Sequence, residues 1–344
     1  MIFNSYLKLN SKKIFLLFVI TSIFLIFLIN SNEIYANENE ETLELKILSS
    51  WGPEYHYVLD FLNPFIEKLN NETDGRIKAT WTGPESVPAF EQLQPLRRGL
   101  FDMLFTSAAY HMGEIAVGVG MDLVIAEPGE IREAGLYEIL NEAYEQVNAK
   151  VLGMAYGKAG YHFMLKDKCI NKADFTGLKL RTTPSYDPLA KALGASTVQI
   201  PAGEIYSSLE KGVVDGAAWP VIGALDYKWY EVADYQLRPQ FGQVSEFLLV
   251  NLDTWNKIPK DLQDRIIEIT IETEDECYKN LTERYLEQEQ KLIDLGMELC
   301  ILPEEEGEKL LQVYYDRSWE EIVLQYAPEF GPRLKKIADE IVSE

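Results

Sequence analysis

The stretch that decides the fold spans residues 177–220 and reads GLKLRTTPSYDPLAKALGASTVQIPAGEIYSSLEKGVVDGAAWP. Three short apolar segments alternate in it with two helical segments, which end at Gly194 and Gly212. A glycine directly after the last helical residue is a common helix stop. Strands that alternate with helices predict an α/β fold with mainly parallel sheets.

The alternation continues on both sides of this stretch. Upstream, Leu43 to Ser49 has the pattern of a strand, and downstream Lys260 to Asp294 contains neither proline nor glycine. A helix over that whole downstream segment would have about 35 residues and, at 1.5 Å per residue, would span about 50 Å. Since that is longer than a small domain, we expect either one helix that runs across two lobes or two helices whose junction the pattern hides.

The N-terminus predicts export. Residues 1–13 form a short basic segment, and residues 14–29 are apolar apart from Thr21 and Ser22. A polar segment then ends at Ala36. A basic start, an apolar segment and a small residue before the cleavage point are typical of a secretory signal peptide. We therefore predict a signal peptide over residues 1–36, with an uncleaved N-terminal anchor as the alternative. Both alternatives give a periplasmic or other extracytoplasmic location.

The composition excludes several classes of function. A formal net charge of −23 argues against nucleic acid and anionic lipid as partners. The three histidines and three cysteines form no metal-binding or CxxC motif, and no metal or cofactor is expected. Cys169, Cys277 and Cys300 allow one disulfide, but their odd number and their spacing favour a reduced fold. The sequence also lacks GxSxG, phosphate-loop and dinucleotide-loop motifs.

Candidate binding residues lie where the predicted strands end, because open parallel sheets bind ligands at the carboxyl ends of their strands. Among them, Arg181 is the strongest candidate, since a guanidinium offers two parallel donors that fit a carboxylate. The alternative for Arg181 is a surface arginine on an edge strand, and the aromatic candidates have the alternative of being core residues. The predicted ligand-binding residues are Arg181, Trp219, Trp51, Ser107, Tyr161 and Tyr186.

Several motifs together resemble the solute receptors of TRAP transporters, the periplasmic dicarboxylate-binding type. Residues 177–181 (GLKLR) resemble the G-x-K-x-R strand of that family. Residues 193–195 (LGA), 204–209 (EIYSSL) and 212–216 (GVVDG) then follow in the order and spacing of its next conserved block. The resemblance covers roughly residues 43–340.

This resemblance implies a two-lobed periplasmic-binding-protein fold of the α/β class, with a long helix spanning both lobes. It places lobe I at 43–158 plus 247–286 and lobe II at 159–246 plus 287–344. The lobes of this family close around a ligand, and the closed receptor delivers it to a membrane permease driven by an ion gradient. The family's arginine, which pairs with the ligand carboxylate, corresponds to Arg181.

Three departures from the family pattern bear on the ligand. Tyr161 stands where members often carry a second arginine, and Ser107 stands where receptors of sugar acids have an acid. Relatives that bind 2-oxo acids through a metal have Glu-Trp where this chain has Ala218 and Trp219. One cationic anchor with bulky apolar neighbours suits a monocarboxylate with an apolar or aromatic body.

We therefore predict a binding protein and not an enzyme, with a small organic carboxylate and the TRAP permease subunits as its partners. One rival is a receptor of the same fold that serves a sensor protein. A rival from another class is an exported enzyme that uses scattered carboxylates such as Glu85. Genes for a permease beside this one would favour the transporter over the sensor, and turnover of a bound acid would favour the enzyme.

Overall fold

The computed structural model describes residues 42–343. The predicted signal peptide, residues 1–36, lies outside them. The chain from Glu44 onward forms one compact unit. Within the described residues, no helix is both long and apolar enough to cross a membrane.

Residues 42–343 contain eleven strands, which form two sheets. The strands are β1 (Leu43–Ser49), β2 (Ile77–Thr82), β3 (Met103–Ser107), β4 (Ala149–Gly157), β5 (Tyr161–Leu165), β6 (Lys179–Thr182), β7 (Ser196–Gln199), β8 (Gly216–Pro220), β9 (Tyr235–Arg238), β10 (Val244–Asn251) and β11 (Glu298–Ile301). The five-stranded sheet has the order β2-β1-β3-β10-β4, and the six-stranded sheet has the order β11-β9-β5-β8-β6-β7.

Both sheets are mixed, so the prediction of mainly parallel sheets is wrong. β1 pairs with β3, β6 with β7 and β8, and β11 with β9 in parallel. However, β10 is antiparallel to β3 and β4, and β5 is antiparallel to β8 and β9. The reason is that the chain crosses directly from one sheet to the other before β5 and before β10. Each of these strands therefore begins beside the carboxyl ends of its neighbours and runs in the opposite direction.

Two of the three connections between the sheets are short and touch each other. The connection from β4 to β5 is residues 158–160, and that from β9 to β10 is residues 239–243. The backbone of Tyr161 pairs with that of Phe241 through N–H···O bonds of 2.8 and 2.9 Å. A side chain at Gly160 would overlap the carbonyl oxygen of Gly242, so this close approach requires glycine.

The helices cover both sheets. They are α1 (Asn63–Asn71), α2 (Leu93–Arg97), α3 (Pro128–Glu133), α4 (Leu136–Tyr144), α5 (Asp187–Ala192), α6 (Ile205–Glu210), α7 (Leu252–Trp255), α8 (Lys260–Asp294), α9 (Glu304–Ser318), α10 (Leu324–Tyr326) and α11 (Gly331–Ser343). A π-helical turn, Val58–Leu62, precedes α1, and the helix becomes α-helical only beside Pro64.

Helix α8 is a single helix of 35 residues, and this confirms the one-helix prediction over two helices. In its first half, Glu274 accepts a hydrogen bond of 2.7 Å from the backbone N–H of Met154 on β4. In its second half, Gln288 accepts one of 3.2 Å from the N–H of Gly223, three residues after β8. The helix therefore contacts structure next to each of the two sheets.

A disulfide joins Cys169 and Cys300, with their Cα atoms 5.4 Å apart, while Cys277 is free and buried. The prediction of a reduced fold is therefore wrong. The pairing is hidden in the sequence because 131 positions separate the two cysteines. They meet because β11 joins the sheet beside β9, which is itself next to β5, and Cys169 lies in the loop after β5.

Candidate ligand-binding site

Arg181 lies on β6, between β7 and β8, and its side chain is completely buried. Its Nε donates to the carbonyl of Ile200 at 2.8 Å, and its Nη1 donates to Tyr186 Oη at 2.8 Å and to the carbonyl of Ala218 at 2.9 Å. Its Nη2 is buried and has no hydrogen-bond partner among the described residues. The guanidinium is thus held in a fixed orientation, with one nitrogen left for a further acceptor.

Aromatic rings surround this guanidinium. Its carbon lies 5.1 Å from the ring centre of Trp219, a distance at which a cation and an aromatic ring attract each other. The rings of Tyr161 and Tyr186 lie 5.2 Å apart, and Tyr186 donates to the same Ala218 carbonyl at 3.0 Å. Four of the predicted site residues, Arg181, Trp219, Tyr161 and Tyr186, therefore form one buried cluster.

Trp51 reaches this cluster through Tyr55, which was not among the predicted site residues. The ring centres of Trp51 and Tyr55 are 5.2 Å apart, and those of Tyr55 and Trp219 are 5.9 Å apart. Trp51 and Tyr55 follow β1 of the five-stranded sheet, whereas Trp219 lies on β8 of the six-stranded sheet. The aromatic contacts therefore bridge the two sheets.

A cavity of about 480 Å³ opens beside these rings. Its wall includes Trp51 and Tyr110 from one side of the bridge, and Pro201 and Tyr227 from the other. Of the six predicted residues, Trp51 lines this cavity, whereas the other five are buried and are not in its wall. A larger groove of about 690 Å³ lies elsewhere, around Leu123 and Tyr314, and includes none of the six.

Ser107 ends β3 and is 7% exposed. It lies directly opposite Glu246 of β10 in the antiparallel ladder. Glu246 was not among the predicted site residues, although the sequence carried a signal for it. The signal is an acidic residue directly before the apolar run FLLV in VSEFLLVN, a strand that is buried along its whole length.

Two buried carboxyl groups, those of Glu246 and Asp122, lie near the end of β3 in the five-stranded sheet. Burial raises the pKa of Glu246 well above its ordinary range, and the neighbouring Asp122 raises it further. Burial also raises the pKa of Asp122 to about 7, although hydrogen bonds from Ser245 at 2.7 Å and Tyr161 at 3.2 Å oppose that rise. Asp122 thus has its hydrogen-bond donors in place, whereas Glu246 has few.

The two sheets, the paired connections between them and the buried cationic and aromatic cluster define a two-lobed solute-binding protein. The chain belongs to the family of bacterial extracellular solute-binding proteins, family 7, whose family model matches residues 48–324. The resemblance to TRAP solute receptors is thereby confirmed. An extracellular family also implies export, while the predicted signal peptide lies outside the described residues.

Similar proteins include a monocarboxylate 2-oxoacid-binding periplasmic protein of Nostoc sp., which is 27% identical over 220 residues. That match covers 60% of this chain and 59% of the relative, so the chain spans about three-fifths of the relative's length. Among solved structures, a TRAP periplasmic solute-binding protein from Desulfovibrio salexigens with bound orotic acid has a TM-score of 0.78 at 20% identity. The match covers 88% of this chain and 99% of that one.

A second solved structure shows the same fold. It is an extracytoplasmic solute receptor of Bordetella pertussis that binds pyroglutamic acid, with a TM-score of 0.76 at 12% identity. The match covers 87% of this chain and all of that one. At these identities the two structures establish the two-lobed fold, which confirms the predicted fold class.

Proposed function

We propose that this protein is the extracytoplasmic receptor of a TRAP transporter and delivers a small organic carboxylate to permease subunits for ion-gradient-driven uptake. The observation that carries the proposal is Arg181, a completely buried guanidinium whose Nη2 has no partner in the described part of the chain. The ligands of the similar proteins, a monocarboxylate 2-oxoacid, orotic acid and pyroglutamic acid, support the same class of ligand.

The chemistry of a buried guanidinium favours a carboxylate. A charge taken out of water is costly unless it is paired. Within residues 42–343, Arg181 meets only neutral acceptors, namely the Ile200 and Ala218 carbonyls and the Tyr186 hydroxyl. A ligand carboxylate on Nη2 would supply the missing negative charge through a charge-assisted hydrogen bond. The roles of Trp219, Trp51, Ser107, Tyr161 and Tyr186 in the pocket wall are part of this proposal.

The surroundings of Arg181 favour a ligand with an apolar or aromatic body. Trp51, Tyr55, Trp219 and Tyr227 offer ring faces, and burying a hydrocarbon body against them gains roughly 25 cal/mol per Å². A second carboxylate would need a second cation. Tyr161 stands where the family often supplies one, and its hydroxyl already donates to Asp122.

Replacement of Arg181 tests the proposal. We expect Arg181→Ala to weaken binding of an aromatic acid such as 3-phenylpropanoate by about 2 to 5 kcal/mol, the usual cost of removing one partner of a desolvated charge pair. The wild-type protein should bind 3-phenylpropanoate at least about tenfold more tightly than succinate, a difference of roughly 1.4 kcal/mol. Both quantities are measured by titration calorimetry, after a thermal-shift screen of organic acids.

A matched control separates binding from folding. Arg98→Ala removes an exposed arginine and should leave the affinity unchanged. In the thermal screen, a ligand at 100 times its Kd should add about 2.7 kcal/mol to the wild-type stability. A folded Arg181→Ala protein with wild-type affinity would contradict the role of Arg181, and tighter binding of succinate would contradict the apolar body.

A further inference from the structure

Glu246 is a buried acid that lacks a matching charge. Its side chain is 3% exposed, and its Oε2 is buried without a hydrogen-bond partner in residues 42–343. Its Oε1 is 3.5 Å from the hydroxyl of Tyr55, which is longer than the roughly 2.5–3.0 Å of an ordinary O–H···O hydrogen bond. The ion pairs of the described residues do not include it. A buried carboxyl group with so few partners is costly in a finished core, because the group gives up its water without replacement.

Glu246 and Arg181 belong to the same enclosure. The hydroxyl of Tyr55 is next to Glu246, and the ring centre of Tyr55 is 5.9 Å from that of Trp219. The ring centre of Trp219 is in turn 5.1 Å from the guanidinium carbon of Arg181. Tyr110 gives a second link. Burial raises the pKa of its hydroxyl, the Arg181 cation lowers that pKa and the Glu246 carboxyl raises it again, so both charges act on this hydroxyl.

Tyr110 also connects the two charges to open space. Its ring packs 5.8 Å from that of Trp51, and both residues line the cavity of about 480 Å³. A cation with an unpartnered N–H and an acid with an unpartnered oxygen therefore flank one aromatic enclosure. Asp122 differs from Glu246, because two hydroxyl groups already donate to its carboxylate.

We infer that Glu246 is the second anchor of the ligand and that it accepts a hydrogen bond from a nitrogen the ligand carries beside its carboxylate. The ligand class is then an amino acid with an apolar or aromatic side chain, whose carboxylate binds Arg181 and whose ammonium binds Glu246. This inference rests on the proposed function, since it assumes that Arg181 holds the carboxylate. The ammonium group is a feature of the ligand that Arg181 alone does not select.

The charges of the enclosure favour an amino acid over a diacid. A second carboxylate near Glu246 would place two acids together out of water, and one of them would have to stay protonated. An ammonium group there instead forms a charge-assisted hydrogen bond with the unpartnered oxygen. The carboxylate and the ammonium of an amino acid therefore match Nη2 of Arg181 and Oε2 of Glu246, respectively.

Matched ligand pairs test the inference by calorimetry on the mature protein. The pairs are L-phenylalanine with 3-phenylpropanoate and L-leucine with 4-methylpentanoate, which differ within each pair only by the ammonium group. We expect the amino acid to bind at least about tenfold more tightly in each pair. In Glu246→Gln, the affinity for the amino acid should fall at least about tenfold, while the affinity for the acid that lacks the ammonium changes less than about threefold.

Glu274→Gln is the control, because Glu274 is the other buried glutamate of residues 42–343 and, unlike Glu246, it is paired with an arginine, Arg132 on α3. It should leave the preference for the amino acid unchanged, even if the protein becomes less stable. Partner acids that bind as tightly as the amino acids, or equal losses of both in Glu246→Gln, would overturn the role of Glu246 while leaving the proposed function intact. Absence of binding by every member of both pairs would overturn the assigned ligand class. Carboxylate binding that persists in Arg181→Ala would instead overturn the proposed function.

Discussion

His111 shows how burial sets the properties of a single residue next to the site. It follows Tyr110, is 6% exposed, and its Nε2 is 2.8 Å from the hydroxyl of Tyr144. Burial alone lowers the pKa of His111 to about 3. The folded protein therefore keeps this imidazole neutral, whereas in the unfolded chain it takes up a proton below about pH 6.5.

The stability contributed by His111 should be lost in acid. Because its folded pKa is depressed, the contribution is complete above about pH 6.5 and declines as the pH falls toward 3. We expect the difference in unfolding free energy between wild type and His111→Gln to narrow by about 2 kcal/mol between pH 7 and pH 5. Urea denaturation at both values measures it. A difference that stays constant with pH would show that His111 is not held neutral.

The site residues divide into those that a sequence can predict and those that it cannot. Arg181 was predictable because a charged residue at the end of an apolar strand is conspicuous, and the structure buries it there. Tyr55 and Tyr110 were not, because they lie outside the strands and reach the site through contacts between separate segments, Tyr55 with Trp219 and Tyr110 with Trp51. Glu246 could have been found, since an acid in a buried strand has few structural explanations.

At the scale of elements, helix α8 packs so closely on β4 that the contact leaves no room for a side chain at Gly153. A Cβ atom there would overlap the methyl group of Thr270 and lie 2.7 Å from Oε1 of Glu274, both on α8. Glu274 in turn bonds to Arg132 and Tyr137, which fixes its position. Thr270 is held as well, because its hydroxyl donates to the carbonyl of Ile266 at 2.7 Å.

We expect Gly153→Ala to destabilise the protein by about 1 to 3 kcal/mol, the usual cost of overpacking a core. Gly129→Ala is the matched control, because nothing lies within 4 Å of a Cβ at that position and it belongs to the first turn of α3. Denaturant midpoints of the two variants provide the comparison. Equal midpoints would mean that α8 shifts on β4 without cost.

The elements differ in how well the sequence predicts them. β1 and α8 have the predicted boundaries, since each is a long uniform pattern or is bounded by clear turn residues. β9 and β11 were missed. β11 is an edge strand of four residues with only Cys300 buried, so it has no alternating pattern, and its place is set by pairing with β9. The mixed sheets were missed because strand direction depends on where the chain enters each sheet.

At the scale of the whole molecule, residues on either side of the aromatic bridge are in contact. His56 Nε2, after β1, is 3.2 Å from a carboxylate oxygen of Asp226, after β8. The final helix α11 packs on α4, where Arg333 pairs with Glu142. These residues fall in different predicted lobes, and the boundaries of the lobes stay a prediction.

We predict that ligand binding closes the molecule about the paired connections at residues 158–160 and 239–243. Short connections beside a ligand site are typical of hinge motion, and Gly160 and Gly242 allow the backbone to turn there. Small-angle scattering should give a smaller radius of gyration with a saturating acid than without it. Arg181→Ala should show no such change at the same concentration. An identical radius for the wild-type protein in both states would argue against closure.

The bond between Cys169 and Cys300 gives the chain the topology of a ring with two tails. The ring includes β6 to β9 of one sheet, β10 of the other and the whole of α8. A single covalent cycle thus passes through both sheets. When the folded structure is lost, this cycle persists and limits the conformations of the free chain, a restriction worth about 4.7 kcal/mol for a loop of roughly 100 residues. A backbone break anywhere within the ring leaves one connected molecule, which comes apart only when the sulphur bond is also broken.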